Sequence, residues 1–181
     1  YAINSTGRCA QNCTPGTFAN NLNRICVSVC PTDPILYGDP ISWTCLPACP
    51  SGSFGDPLTQ QCVHSGFTAS TCPPDYFADS TSNLCVQVCP MKYDLYAEPQ
   101  SRACKSTCLT LFADNSAMRC VPVCPAYPSY FANNATGRCV KYCPALSFAS
   151  NLTRTCVAHC PPGTYAENTT LSCVFRCPNN S

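Results

Sequence analysis

The spacing of the cysteines constrains this chain more than any other feature. Its 181 residues contain 20 Cys, and nine of the ten successive pairs read C-x3-C, from Cys9 and Cys13 to Cys173 and Cys177. The exception is Cys62 with Cys72. Between one pair and the next lie 11, 12 or 14 residues, so the chain is ten copies of one unit. The modules run 1-17, 18-36, 37-53, 54-76, 77-95, 96-111, 112-130, 131-147, 148-164 and 165-181. A short fixed period marks a repeat architecture, in which no single copy buries a core alone and neighbours supply it.

Alignment on the first Cys of each module exposes a second pattern. An aromatic stands eight residues upstream every time, at Tyr1, Phe18, Tyr37, Phe54, Phe77, Tyr96, Phe112, Phe131, Phe148 and Tyr165. The next residue is always small, Ala in eight modules and Gly38 or Gly55 in the others, as a ring or strand lying against that backbone would require. Ser or Thr stands three residues before the first Cys in eight modules, and Pro follows the second Cys in eight.

A unit of this length cannot fold on its own core, because domains below about 40 residues need disulfides, metals or association. Cys above roughly 8–10% is the composition of a disulfide scaffold, and such cross-links persist only in an oxidising compartment. The chain is therefore expected to be extracellular or at the cell surface. Frequent Pro and Gly break any helical period, leaving short strands and turns. Asp39-Pro40-Ile41-Ser42 and Asp56-Pro57-Leu58-Thr59 read as turns in which Asp caps its own backbone. The fold class expected is a small disulfide-rich repeat, an elongated rod or solenoid of ten short β/turn modules with little helix. The aromatics beside the half-cystines are its substitute core.

Two disulfide schemes compete. Closing C-x3-C on itself requires a helical turn and constrains almost nothing. Joining the second Cys of one module to the first of the next closes loops of about 14 residues, worth roughly 3 kcal/mol each in the chain-entropy model. That scheme pairs Cys13 with Cys26, Cys30 with Cys45, Cys49 with Cys62, Cys72 with Cys85 and Cys89 with Cys104. It continues with Cys108 and Cys120, Cys124 and Cys139, Cys143 and Cys156, and Cys160 and Cys173. The rival is a bow-tie, Cys9 to Cys26 with Cys13 to Cys30, which would impose an alternation in spacing. Pairing between successive modules is favoured and the bow-tie stays open.

Pairing between successive modules leaves Cys9 and Cys177 over. Joined tail to head, Cys177-Pro178-Asn179-Asn180-Ser181 and Tyr1-Ala2 restore the 12-residue gap found from Cys160 to Cys173. Cys177 and Cys9 are accordingly expected to be satisfied across a head-to-tail junction, in a longer array or a filament.

N-x-S/T acceptors occur at Asn4, Asn12, Asn134, Asn151, Asn168 and Asn179. In a secreted chain each marks an exposed loop that can carry an N-linked glycan. Asn4, Asn134, Asn151 and Asn168 all sit five residues before a module's first Cys, so their sugars would leave every repeat at one point. Asn21 and Asn115 hold the same slot without the hydroxyl residue and are expected to stay bare. The sequon at Asn12 encloses Cys13, whose oxidation competes with glycan transfer.

Little else carries chemistry. Net charge is +1, with no basic footprint for nucleic acid. No apolar run approaches the roughly 18–20 residues that span a bilayer. His64 and His159 stand without partner ligands, carboxylates are scattered singly, and neither a phosphate loop nor a G-x-S-x-G nucleophile occurs. Trp43, in the turn before Cys45, reads as a packed ring more than as a carbohydrate contact. The chain is expected not to be an enzyme, to hold no metal or cofactor beyond covalent glycans, and to partner with other copies of the array or with an extracellular protein or glycan.

The stretch from Cys156 to Cys173, C-V-x-x-C-P-x-G-T-Y-A-x-N-x-T-x-x-C, resembles the furin-like and growth-factor-receptor cysteine-rich repeats. Long arrays with this wording are also similar to cysteine-rich surface and ciliary-appendage proteins of ciliates and other protists. In the receptor family the Cys preceding Pro pairs with the next Cys downstream, and the resemblance implies a rigid ectodomain rod and no reaction. The segment from Val63 to Cys72 departs from the pattern. The expectation is thus a glycosylated extracellular structural rod, forming a fibre, stalk or surface appendage. Its alternative is a receptor or adhesion ectodomain that presents a binding loop near 63-71.

Overall fold

A computed structural model describes residues 1–3, 6–64, 72–127 and 129–178. The chain forms two compact units, one of Tyr1–Cys89 with Pro99–Cys104, the other of Pro90–Glu98 with Lys105–Ser181. Among the described residues the regular structure is twenty strands of two to four residues and a single 3-10 turn, Met91–Tyr93.

In the first unit the hairpins are β1 (Ala2–Ile3) with β2 (Arg8–Cys9), β3 (Phe18–Asn20) with β4 (Ile25–Val27), and β5 (Tyr37–Asp39) with β6 (Thr44–Leu46). They continue with β7 (Ser53–Asp56) and β8 (Gln61–His64), then β9 (Phe77–Asp79) and β10 (Leu84–Val86). Next in the chain come β11 (Tyr96–Glu98), in the second unit, and β12 (Ala103–Lys105), which lies along β9 through its first residues. The second unit adds β13 (Phe112–Asp114) with β14 (Arg119–Val121), β15 (Phe131–Asn133) with β16 (Arg138–Val140), β17 (Phe148–Ser150) with β18 (Thr155–Val157), and β19 (Tyr165–Glu167) with β20 (Ser172–Val174).

Except in the first and fourth modules, each hairpin runs from the module's aromatic to the residue after its first Cys. Its tip places one residue in the left-handed region, two positions before that Cys, in all ten modules: Gly7, Arg24, Trp43, Gln60, Asn83, Arg102, Met118, Gly137, Arg154 and Leu171, with φ from 49° to 65°. This αL residue turns its carbonyl out of the hairpin. The amide of the small residue in the preceding module donates to it, from Ala2 to Arg24 through Ala149 to Leu171, at 2.7 to 2.9 Å. That bond sets a parallel register between the first strand of one module and the second strand of the next, as in Ala19 with Thr44, Gly38 with Gln61 and Ala132 with Thr155. Antiparallel pairing within modules and parallel pairing between them leave few main-chain groups unsatisfied in very short strands.

The nine disulfides join the second Cys of each module to the first Cys of the next, from Cys13–Cys26 to Cys160–Cys173, with Cα separations of 5.5 to 5.7 Å. The bow-tie does not occur. Cys9 and Cys177 are free and exposed. Six of the disulfides support the ring of the module upstream. Phe18 packs on Cys30 and Cys45, Tyr37 on Cys49 and Cys62, Tyr96 on Cys108 and Cys120, and Phe131 on Cys143 and Cys156. Phe54 and Phe112 pack likewise on Cys72 with Cys85 and on Cys124 with Cys139.

The small residue after each aromatic lies beneath the preceding ring. A Cβ on Gly38 would stand 2.8 Å from the ring of Phe18, and one on Gly55 would stand 2.8 Å from that of Tyr37. Tyr165 is 58% exposed, and among the described residues no hairpin downstream lies against β19. The chain is a nearly all-sheet, disulfide-rich tandem repeat whose core is one ring, one small residue and one disulfide per seam.

Candidate functional site

The hairpin tips are where this repeat meets solvent, and their shape is set by a buried polar residue. In nine of the ten modules the position two after the aromatic is Asn20, Asp39, Asp56, Asp79, Glu98, Asp114, Asn133, Ser150 or Glu167, all nine buried, whereas the first module has Ile3 there. Most of these side chains accept from the backbone amide two residues on, as Asn20 does from Leu22 at 3.0 Å, Asp56 from Leu58 at 2.9 Å and Asn133 from Ala135 at 3.0 Å. The Ser or Thr of the turn closes the ring. Ser42 donates its hydroxyl to Asp39 at 2.6 Å, Thr59 to Asp56 at 2.7 Å and Ser82 to Asp79 at 2.7 Å, while Thr170 donates to Glu167. The repeated Thr three residues before Cys thus belongs to turn geometry.

The same bonds move the carboxyls. Burial opposes ionisation of Asp39, but donors on Ser42 and Ile41, with His64 3.4 Å away, outweigh it and lower its pKa. Donors on Thr170 and Thr169 lower Glu167 to about 2. Both carboxyls are fixed acceptors of a turn, a role that needs the anion and no proton transfer.

The residue between the buried polar position and the turn's apex is the sequon slot. Asn134, Asn151 and Asn168 are exposed there, as is Asn12 outside the hairpin register. Asn4 and Asn179 lie outside the described residues, as do residues 65–71 of the candidate binding loop. Val63 and His64, at its start, belong to β8.

Asn21 and Asn115 show a relation that the sequence analysis missed. Each accepts a hydrogen bond from the Tyr hydroxyl of the preceding module, Asn21 from Tyr1 and Asn115 from Tyr96, the latter at 2.7 Å. Asn134, Asn151 and Asn168 instead follow modules headed by Phe112, Phe131 and Phe148, which have no hydroxyl to offer. Tyr or Phe at the ring position of one module therefore sorts the Asn of the next into a bonded group or an open one. The signal was present in the aromatic column, but reading it requires knowing that ring and turn of successive modules meet.

Two arginines fasten seams from the hairpin tips. Arg154 donates to the carbonyls of Pro125 and Tyr130, the latter at 2.7 Å, and covers the ring of Phe131 with its guanidinium 4.8 Å from the centroid. Arg102 reaches the carbonyl of Pro73 in the same manner. Trp43 occupies the equivalent position in its module and stacks on Phe18 at 5.8 Å. Among the described residues no three His, Cys, Asp or Glu side chains gather as a metal site would require, and no helix is long and apolar enough to cross a membrane.

No family model, curated protein or solved structure matches the chain. The architecture itself is that of a cysteine-rich repeat, and its many disulfides are typical of secreted or extracellular structural proteins.

Proposed function

We propose that this repeat is a glycosylated extracellular structural element, a segment of a fibre, stalk or surface appendage extended by further modules of the same kind, with no catalytic role. The observation that carries the reading is the seam. Nine times the chain uses one bond, from the small residue's amide to an αL carbonyl, and in six of these seams a ring packs on the disulfide, so a module presents one face to accept a neighbour and another to be accepted. Such an interface is heterologous, a kind that one module after another can extend.

Cys9 and Cys177 are the half-cystines that the regular scheme would bridge to neighbouring modules, and both are exposed. Glycans on Asn134, Asn151 and Asn168, and on Asn4 in the same slot, would coat the turn edge and leave the seams free. Likeness to furin-like arrays, as rigid spacers, accords with this reading.

Electron microscopy of native, unreduced material tests it. Filaments with an axial repeat matching ten modules, carrying sugar density at the four slot asparagines, are the expected result. Discrete particles that bind a foreign protein through residues 63–71 would overturn it in favour of a receptor or adhesion ectodomain.

A further inference from the structure

The chain has one Trp, and of the four sequon asparagines among the described residues only Asn12 stands outside the hairpin slot. These two exceptions to the repeat meet in one place. A hollow of about 340 Å3 in the first unit is lined by Trp43 and Asn12 together, with Tyr1, Ser42 and Thr44 around them. A site of this size lies at the low end for small-ligand pockets, and a few polar groups beside aromatic walls are the usual furnishing of one.

Trp43 is held in place before any ligand arrives. Its backbone is αL, its amide donates to the main-chain carbonyl of Asp39 at 2.8 Å, its carbonyl accepts from the Ala19 amide at 2.7 Å, and its indole stacks on Phe18. In the other nine modules this position is Gly, Arg, Gln, Asn, Met or Leu, so the fold does not require an indole there. A pre-set aromatic with hydroxyls close by suits a pyranose, whose C–H face is apolar and whose rim is polar.

We propose that this hollow seats the first N-acetylglucosamine of a glycan carried by Asn12 itself. The inference rests on the reading of the chain as N-glycosylated. In the attachment, the Asn12 side-chain nitrogen forms a bond to the anomeric carbon of a lipid-diphosphate-linked oligosaccharide. The bond from that carbon to the diphosphate breaks, and the amide proton leaves to a base of the transferase. The sugar then lies against Trp43 and ties the loop between Cys9 and Cys13 to the hairpin tip of the third module, two modules along the chain. Asn134, Asn151 and Asn168 are exposed on the hairpin turns, and their glycans extend into solvent.

Trp43 reports on this directly, because all indole fluorescence in the chain is its own. The full-length protein is secreted from a glycosylating host, and peptide mass mapping establishes occupancy at each sequon. Trp43 emission and its quenching by acrylamide are then compared for this protein, for Asn12→Gln and Thr14→Ala, and for Asn134→Gln as a control. The expected result is an occupied Asn12, with emission shifted to the red and quenching increased in both Asn12-sequon variants and unchanged in the control. Equal quenching with Asn12 occupied overturns the inference. So does an empty Asn12, while the peptides holding Asn134, Asn151 and Asn168 judge glycosylation of the array separately. Protection of Trp43 in Asn12→Gln by added chitobiose alone, with no difference made by the Asn12 glycan, would assign the hollow to a foreign saccharide and overturn the intramolecular placement.

Discussion

Leu146 shows what one residue contributes when nothing but its backbone matters. It lies in the turn after Cys143-Pro144 with φ 65° and is 91% exposed, so its side chain packs on nothing. An L-residue in αL costs roughly 1–2 kcal/mol, and glycine escapes that cost while giving back part of it in unfolded-state entropy. Leu146→Gly is therefore expected to raise stability by about 1 kcal/mol in denaturant titration. Gly38 is the opposite case. A methyl there would press into Phe18, which is 3% exposed and backed by Trp43, so the ring cannot withdraw. Gly38→Ala is expected to cost about 1–3 kcal/mol, read in the same assay.

Glu167 gives a residue-scale test by pH. Its ionised form is favoured in the fold, so the support it lends its turn is complete above the ordinary value of 4.5 and is lost as pH falls through about 2. An NMR titration of the Thr169 and Thr170 amides should show its midpoint near 2, and a midpoint near 4.5 would mean that the turn does not hold the anion.

The hairpin tip is the element on which every seam depends, and Arg154 tests how much of the seam is side chain. Removing its guanidinium leaves the carbonyls of Pro125 and Tyr130 without that donor and uncovers the ring of Phe131. Arg154→Ala is expected to cost about 1–3 kcal/mol, whereas the bond from Ala132 to the residue 154 carbonyl survives because it is main chain. Hydrogen exchange should report faster opening around residues 125–132 with the Ala132 amide still protected. That split between side chain and backbone also explains what could be read in advance. Cysteine spacing favoured the pairing, since loop closure depends on chain length alone, and an aromatic next to an invariant small residue announced a ring packed on backbone. The αL tip left no comparable mark. Arg24, Trp43, Gln60, Met118 and Leu171 share no chemistry, and only Gly7, Gly137 and Asn83 hint at a positive φ. The backbone there is dictated by the neighbour's amide, which no residue type encodes. The Tyr1–Asn21 and Tyr96–Asn115 bonds were hidden for the same reason, being contacts between modules.

At the largest scale, stability in each unit is a sum over seams, because among the described residues each hairpin pairs only with its own strands and those of adjacent modules. A repeat of this kind lacks the shared core that makes a globular domain open all at once. Removing one cross-link should therefore do local harm. The bridge Cys143–Cys156 spans 13 residues and supports Phe131 from below. Replacing both half-cystines by Ser releases a loop worth about 3 kcal/mol in the chain-entropy model and takes away part of the ring's seat. The loss should appear as faster amide exchange from Phe131 to Val157, over the two seams that meet this bridge. The amides of β13 and β14, one seam upstream, are held by Cys108–Cys120 and their own αL bond from Ala97 to Met118, and they should keep their protection. Uniform acceleration across all the strands of the unit would show that the modules share one cooperative core, and would remove the physical basis for an array that can be lengthened module by module.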